Sequence, residues 1–119
     1  MTYDPNNTFA KILRGDIPCT KVYEDDYVLA FNDINPAAPV HVLVIPKGAY
    51  TSIVDFTGNA SDQEIVAFFR AVGKISQDLG LHLQGFRSIA NTGLNSGQEV
   101  PHFHMHLLGG KSLGPMIIR

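Results

Sequence analysis

The sequence predicts an α+β domain in which an antiparallel sheet of about five strands carries one long helix and a short N-terminal helix. Three observations support this: short β-rich runs separated by turn residues, one long run with a 3.6-residue apolar period, and histidines at the two-residue spacing of a strand. The 119 residues contain no internal repeat and no linker that would divide them. We therefore expect a single domain over residues 1–119.

Five runs predict strands because β-branched, aromatic and aliphatic residues lie between turn residues. They are 21–24, 28–32, 40–45, 86–91 and 102–108. Asp25 and Asp26 separate the first two runs, which predicts a tight hairpin. The last two runs are separated by the loop 92–100, which contains two glycines.

Two runs predict helices. The shorter begins after Thr8, the expected N-cap, and stops at Gly15. The longer covers 62–79, where Ser61 and Glu64 have the spacing of a capping box and a glycine closes the far end. Its apolar residues lie on one face, which must therefore be buried: Ile65, Phe68, Phe69, Val72, Ile75 and Leu79.

Composition excludes several classes of function. A net charge of −2 and a pI near 6.2 argue against broad nucleic-acid binding, which needs a dense positive surface. No apolar run approaches the ~20 residues that a membrane-spanning helix needs, and no signal peptide is evident at the start. Cys19 is the one cysteine, as fits a reducing compartment, so we expect a cytoplasmic protein.

Three of the five histidines alternate with apolar residues near the C-terminus: His102, His104 and His106. On a strand this alternation places the three imidazoles on one face. Such a row predicts either a metal site or a site for a phosphate chain. Strand spacing of ~6.8 Å between alternate residues is too wide for all three to bind one ion, so a metal would need a ligand such as His41.

The loop before the histidines favours the phosphate interpretation. Gly93 and Gly97 permit close backbone approach, and their amides can form a concavity that binds an anion. The side chains of Asn91 and Gln98 are candidate neutral donors to phosphate oxygens. In this interpretation one imidazole attacks phosphorus, while its neighbours bind the phosphate or donate protons.

The segment 98–108, which reads Gln-Glu-Val-Pro-His-Phe-His-Met-His-Leu-Leu, resembles the signature of the histidine-triad family. It is most similar to the nucleotide-binding phosphoramidase branch of that family, and to its bacterial members. Segments 9–18, 31–36, 38–47 and the glycine pair 109–110 are similar to family segments as well. The resemblance extends over nearly the whole chain and implies the histidine-triad fold.

The resemblance also implies a role for each matching residue. His104 is the expected nucleophile, His106 contacts the phosphate and assists the leaving group, and His102 and His41 form a relay that orients His104. Asp33 is expected to accept hydrogen bonds from the ribose. The other expected nucleotide-binding residues line the base pocket (Phe9, Ile12, Phe31 and Ile34) or the ribose-phosphate end (Asn91, Gly97, Gln98 and Glu99).

Two features depart from the eukaryotic members of this branch. Glu99 stands where those members have a serine that contacts the leaving group, and a carboxylate there disfavours an anionic leaving group. The C-terminal segment 111–119 lacks the tryptophan with which those members reach the partner subunit. Leaving-group preference is therefore the property on which this chain is expected to differ.

The resemblance implies a homodimeric hydrolase that cleaves the P–N bond of purine nucleoside phosphoramidates, such as derivatives of AMP or GMP, without a metal or other cofactor. No nucleic-acid or membrane partner is expected. The alternatives are a dinucleoside polyphosphate or nucleotidyl-adduct hydrolase, and a nucleotide-binding regulatory module with incidental turnover. A zinc-binding protein is the third alternative.

Overall fold

A five-stranded antiparallel sheet organises the chain in the computed structural model, which describes residues 2–118. The strands are β1 (Lys21–Glu24), β2 (Val28–Asn32), β3 (Val40–Pro46), β4 (Phe86–Ile89) and β5 (Met105–Gly109). Their spatial order is β1-β2-β3-β5-β4, so β3 is the central strand and β4 lies at an edge. The α+β class and the number of strands are as the sequence predicts.

The helices are α1 (Thr8–Leu13), α2 (Ile53–Asn59), α3 (Asp62–Asp78) and α4 (Leu81–Gln84), with a 3₁₀ turn at Leu94–Ser96. The predicted capping box of α3 is confirmed, since Ser61 and Glu64 each accept a hydrogen bond from the other's backbone N–H. No helix within residues 2–118 combines the length and apolar character that a membrane span requires. The sequence predicted neither α2 nor α4.

The N-cap of α1 is Asn7 rather than Thr8. The Asn7 side chain accepts a hydrogen bond of 2.9 Å from the N–H of Ala10, and Thr8 is already the first helical residue. An asparagine caps a helix as well as a threonine does, and here it lies one residue earlier. The predicted stop at Gly15 is confirmed by its φ of +81°.

The last strand begins at Met105, three residues later than predicted. Pairing of β5 with β3 starts at Met105 opposite Val44 and ends at Gly109 opposite Val40. Before that point the backbone bonds elsewhere, since the N–H of Phe103 donates to the carbonyl of Tyr50 at 2.7 Å. His102 and His104 therefore precede the strand, and of the histidine row only His106 belongs to it.

The two faces of the sheet bury different side chains. One face packs against α2 and α3 to form the larger core cluster, which includes Val28, Ala30, Val42, Val44, Phe56, Phe68, Ile75, Phe103, Met105 and Leu107. The opposite face forms a smaller cluster with Phe9 of α1: Leu29, Phe31, Leu43 and Ile45. Leu43 pairs with Phe31 on β2 and with His106 on β5. The smaller cluster is therefore adjacent to His106.

Candidate active site

A pocket of about 360 Å³ lies on the second face of the sheet, between α1 and the loop that precedes β5. Most residues predicted for a nucleotide site line it: Phe9, Ile12, Phe31, Asp33, Ile34, Asn91, Gly97, Gln98, Glu99, His104 and His106. Ile34 lies at the rim, since 88% of it is exposed. His41 and His102 do not line the pocket and are buried behind it.

His104 is held in one orientation by the backbone. Its Nδ1 lies 2.7 Å from the carbonyl oxygen of His102, and a carbonyl only accepts, so Nδ1 carries the hydrogen. In the neutral ring this leaves Nε2 with a free lone pair. The rings of His104 and Phe9 are nearly perpendicular, with centroids 4.9 Å apart. His104 is thus presented to the pocket in the tautomer that a nucleophile requires.

His106 takes its tautomer from His41. The N–H of Ala37 donates to Nδ1 of His41 at 3.0 Å, so the hydrogen of the His41 ring is on Nε2. That Nε2 lies 2.9 Å from Nδ1 of His106, which must accept. His106 therefore carries its own hydrogen on Nε2 and offers a donor to the pocket.

His102 uses both ring nitrogens within the protein. Its Nε2 donates to the carbonyl of Pro46 at 2.8 Å, and its Nδ1 accepts from the hydroxyl of Tyr3 at 2.7 Å. The residue is 0% exposed. The resemblance implied that His102 and His41 act together on His104, but in the structure they contact different histidines. His102 holds His104 through a backbone carbonyl, whereas His41 acts on His106, because it lies beside that residue on the adjacent strand.

Burial keeps the three triad imidazoles neutral at pH 7. It lowers the pKa of His102 to about 4, and it lowers the pKa of His104. The pKa of His106 also falls to about 4, first through burial and then through the neighbouring rings of His104 and His41. Neutral rings match the tautomers that the hydrogen bonds assign.

The donor set does not fit a metal ion. Asp33, His41 and His106 bring one potential ligand atom each to within 4.8 Å of one another. However, the N–H of Ala37 occupies Nδ1 of His41, so its Nε2 carries hydrogen and has no lone pair for a metal. His41, the additional ligand that a metal site would need, is thus a hydrogen-bond donor at this nitrogen.

Gln98 uses its side-chain amide to hold the loop 92–100 in shape. Its Nε2 donates to the carbonyls of Thr51 and Val100, at 2.7 and 3.0 Å, and its Oε1 accepts the N–H of Gly93. Both amide hydrogens are therefore committed, and the prediction of a side-chain donor to phosphate is wrong for this residue. Gly97, with φ of +75°, allows the turn and exposes backbone to the pocket.

The pocket is acidic. Asp33 and Glu99 line it, and within residues 2–118 no lysine or arginine does. Asp33 accepts the N–H of Asn35 through Oδ1, while Oδ2 lies 3.4 Å from Nε2 of His41. Among the described residues Glu99 forms no ion pair, and its charge raises the pKa of His104 against the larger effect of burial.

Sequence reasoning missed two groups of residues. Leu43 lines the pocket, and the parity of β3 could have found it because it shares a face with His41. Thr8, Ile17, Cys19, Asn32 and Val100 also line the pocket without any pattern of their own. Tyr3, which bonds His102 across 99 positions, has no signal in the local sequence.

Comparison with known proteins agrees with this geometry. A family model described as the HIT domain matches residues 14–113. An uncharacterized HIT-like protein of Azospirillum brasilense is 54% identical over 118 residues, which are 99% of this chain and 97% of that protein. The purine nucleoside phosphoramidase of Escherichia coli K12 is 44% identical over 109 residues, which are 92% of this chain and 91% of that enzyme.

The chain is also similar to solved structures. The HIT family hydrolase from Clostridium thermocellum superposes with a TM-score of 0.86 at 43% identity, covering 95% of this chain and 97% of that one. The resemblance drawn from the histidine row and the other family segments is therefore confirmed, and so is the fold that it implied. The chain belongs to the HIT domain family.

Proposed function

We propose that this chain is a hydrolase that cleaves the P–N bond of purine nucleoside phosphoramidates and releases a nucleoside monophosphate and an amine. One observation carries the proposal. His104 has its hydrogen fixed on Nδ1 by a carbonyl, so the lone pair of Nε2 is the reactive atom in a nucleotide-sized pocket. The name of the Escherichia coli relative supports the same reaction.

In the reaction, Nε2 of His104 forms a bond to the α-phosphorus, and the P–N bond breaks with its electron pair on the departing amine, which takes up a proton from solvent. Water then attacks the phosphorus of the nucleotidyl-histidine and gives up a proton to solvent, and Nε2 leaves with its lone pair restored. His106 donates its Nε2–H to a phosphoryl oxygen and stabilises the charge that develops there.

The rest of the pocket fits a nucleoside. Phe9 and Phe31 form an apolar wall with ring centroids 5.6 Å apart, suited to one face of a purine. Asp33 has one carboxylate oxygen engaged by a turn, and we assign its other oxygen to the ribose hydroxyls. Asn91 and the backbone near Gly97 are assigned to the phosphate end.

Charge favours a phosphoramidate over a dinucleoside polyphosphate. A polyphosphate leaving group would bring several negative charges to a pocket whose charged side chains are Asp33 and Glu99. Such substrates usually bind where lysine or arginine compensates the phosphates. An amine leaving group carries no such penalty and is attracted to Glu99 when it is cationic.

A rapid-quench experiment with adenosine 5'-phosphoramidate tests the proposal. Excess enzyme should produce AMP in a single turnover and pass through an adenylyl-enzyme on His104, visible by mass spectrometry of the quenched protein. His104→Ala should lose the adduct and at least about a thousandfold of the rate while still binding AMP. Binding of AMP without turnover by the wild type would instead indicate a regulatory module.

We also propose a homodimer in the cytoplasm. Edge strand β4 presents Phe86, which is 37% exposed, and the outer face of α3 presents Val66 and Phe69, which are 51% and 45% exposed. The prediction that Phe69 is buried with the rest of the apolar face is therefore wrong for the single chain. An edge strand and an apolar helix face of this kind are commonly covered by a second copy. Sedimentation velocity should give a dimer at micromolar concentration, and Phe69→Glu should weaken it. A wild-type monomer would contradict this proposal.

A further inference from the structure

The carbonyl that orients His104 lies outside the sheet. Hydrogen bonding between β3 and β5 begins at Met105, so the backbone of residues 102–104 lacks the strand pairing that fixes His106. Nevertheless, the carbonyl of His102 must stay 2.7 Å from Nδ1 of His104 to keep that ring in its tautomer. One restraint is the hydrogen bond of 2.7 Å from the N–H of Phe103, in the same peptide unit, to the carbonyl of Tyr50.

The imidazole of His102 supplies a second restraint through its two hydrogen bonds. One runs to the carbonyl of Pro46 at the end of β3, at 2.8 Å, and the other comes from the hydroxyl of Tyr3, at 2.7 Å. The two rings meet edge-on, with centroids 5.6 Å apart. Tyr3 lies in the segment before α1. The side chains of Asn7 and Arg14 donate hydrogen bonds to backbone carbonyls of this segment and hold it in place.

The hydroxyl of Tyr3 completes the hydrogen bonding of His102. The carbonyl of Pro46 can only accept, so the ring hydrogen is on Nε2, and the Tyr3 hydroxyl donates to the lone pair that remains on Nδ1. Without that donor, Nδ1 would be an unsatisfied acceptor in a fully buried ring. The alternative tautomer would point the lone pair of Nε2 at the lone pairs of a carbonyl, which is repulsive.

We propose that Tyr3 is a positioning residue, whose hydroxyl locks the imidazole of His102 and thereby the carbonyl that aims His104 at phosphorus. The inference rests on the proposed nucleophilic role of His104. It assigns a function to the N-terminal segment, from which Tyr3 bonds to His102.

Tyr3→Phe is the informative variant because it removes the hydroxyl and keeps the ring. We expect its single-turnover rate constant on adenosine 5'-phosphoramidate to fall about tenfold or more, with KM within about twofold of the wild type. Tyr23→Phe is the matched control. It removes a 2.7 Å hydrogen bond to Asp25 at the β1–β2 hairpin and should leave the rate unchanged.

Two readouts separate positioning from simple stabilisation. In ¹⁵N-histidine NMR spectra, the wild type should show His104 as the Nδ1–H tautomer, and Tyr3→Phe should shift its ring nitrogens toward tautomer exchange. In a His102→Gln background, Tyr3→Phe should have no further effect on the rate, because both act through one ring. Independent effects of the two substitutions, or unchanged His104 signals in Tyr3→Phe, would overturn the proposal.

The NMR readout also keeps this inference separate from the proposed reaction. If the wild type failed to cleave the phosphoramidate while Tyr3→Phe still shifted the His104 signals, the proposed function would fail and the positioning by Tyr3 would stand. If the wild type cleaved the substrate while Tyr3→Phe matched it in rate and spectrum, the proposed function would stand and the inference would fail.

Discussion

His41 and His106 face each other on neighbouring strands, with 2.9 Å between Nε2 of His41 and Nδ1 of His106. His41 is the donor in this hydrogen bond, because the N–H of Ala37 donates to Nδ1 of His41 and leaves the ring hydrogen on Nε2. A backbone amide outside the pocket therefore determines that His106 offers a donor, and not a lone pair, to whatever binds there.

Replacing His41 by Phe should impair the enzyme while its nucleophile remains intact. The ring volume is kept, but Nδ1 of His106 loses its donor, so the Nε2–H that we assign to the phosphate is no longer fixed. We expect a decrease of about a hundredfold in kcat/KM on the phosphoramidate. His82→Phe, a substitution of an exposed histidine on α4, is the control in the same steady-state assay and should leave kcat/KM unchanged. A His41→Phe enzyme within twofold of the wild type would contradict this role.

Stability should depend on pH through His102. Burial lowers the pKa of His102 to about 4 from the ordinary 6.5. Between these two pH values the unfolded chain binds a proton at this residue, whereas the native protein does not. The free energy of unfolding should therefore fall as pH falls from about 6.5 to about 4, by up to about 3 kcal/mol from this residue. Urea titrations across this range measure the slope, and His102→Gln should reduce it, leaving the part that comes from His104 and His106, whose pKa values burial also lowers. A slope that is the same in both proteins would rule out His102 as its source.

Local sequence was sufficient to predict the elements that local chemistry determines. The hairpin at Asp25 forms because its carboxylate accepts the N–H groups of Tyr27 and Val28, and α3 starts where its capping box lies. Helix α2 escaped prediction because its seven residues include a glycine and bury only Phe56. It is stabilised by its cap and by tertiary packing, neither of which leaves a periodic pattern.

Most residues of the pocket could be predicted from the sequence, whereas several of the hydrogen bonds that hold them could not. The family resemblance predicted that His104 and His106 act in the pocket, whereas strand parity applies only to His106, because His104 precedes β5. The hydrogen bonds of Gln98 depend on carbonyls that only the folded chain brings near, one of them 47 positions away. The contact of Tyr3 with His102 is of the same kind. Side-chain roles that depend on long-range backbone partners cannot be predicted from sequence spacing.

Activity should survive the removal of divalent metals. The nitrogen of His41 nearest to Asp33 and His106 carries hydrogen, so the cluster is held together by hydrogen bonds and not by an ion. Dialysis against a strong chelator should leave the single-turnover rate constant unchanged. Loss of activity that only added zinc restores would show that His41 adopts the other tautomer.

Glu99 should set the preference for the leaving group. It lines the pocket beside the histidines and forms no ion pair within residues 2–118, Lys111 included. Glu99→Gln keeps the shape and removes the charge, so it should reduce the ratio of kcat/KM for a lysyl phosphoramidate to that for a diadenosine polyphosphate. A several-fold decrease is expected from the loss of one charge at close range. Glu64→Gln, at the distant cap of α3, is the control. An unchanged ratio in Glu99→Gln would mean that the carboxylate does not sense the leaving group.

The acidic lining of the pocket also affects how nucleotides arrive. Sites that gather phosphates with lysine and arginine draw their ligands in from a distance, and their association slows steeply as salt is added. Here recognition depends on neutral imidazoles, backbone amides and an apolar wall, with no cationic side chain among the described lining residues. Because Asp33 and Glu99 repel an anionic phosphate and salt screens that repulsion, the rate of encounter should rise with ionic strength instead.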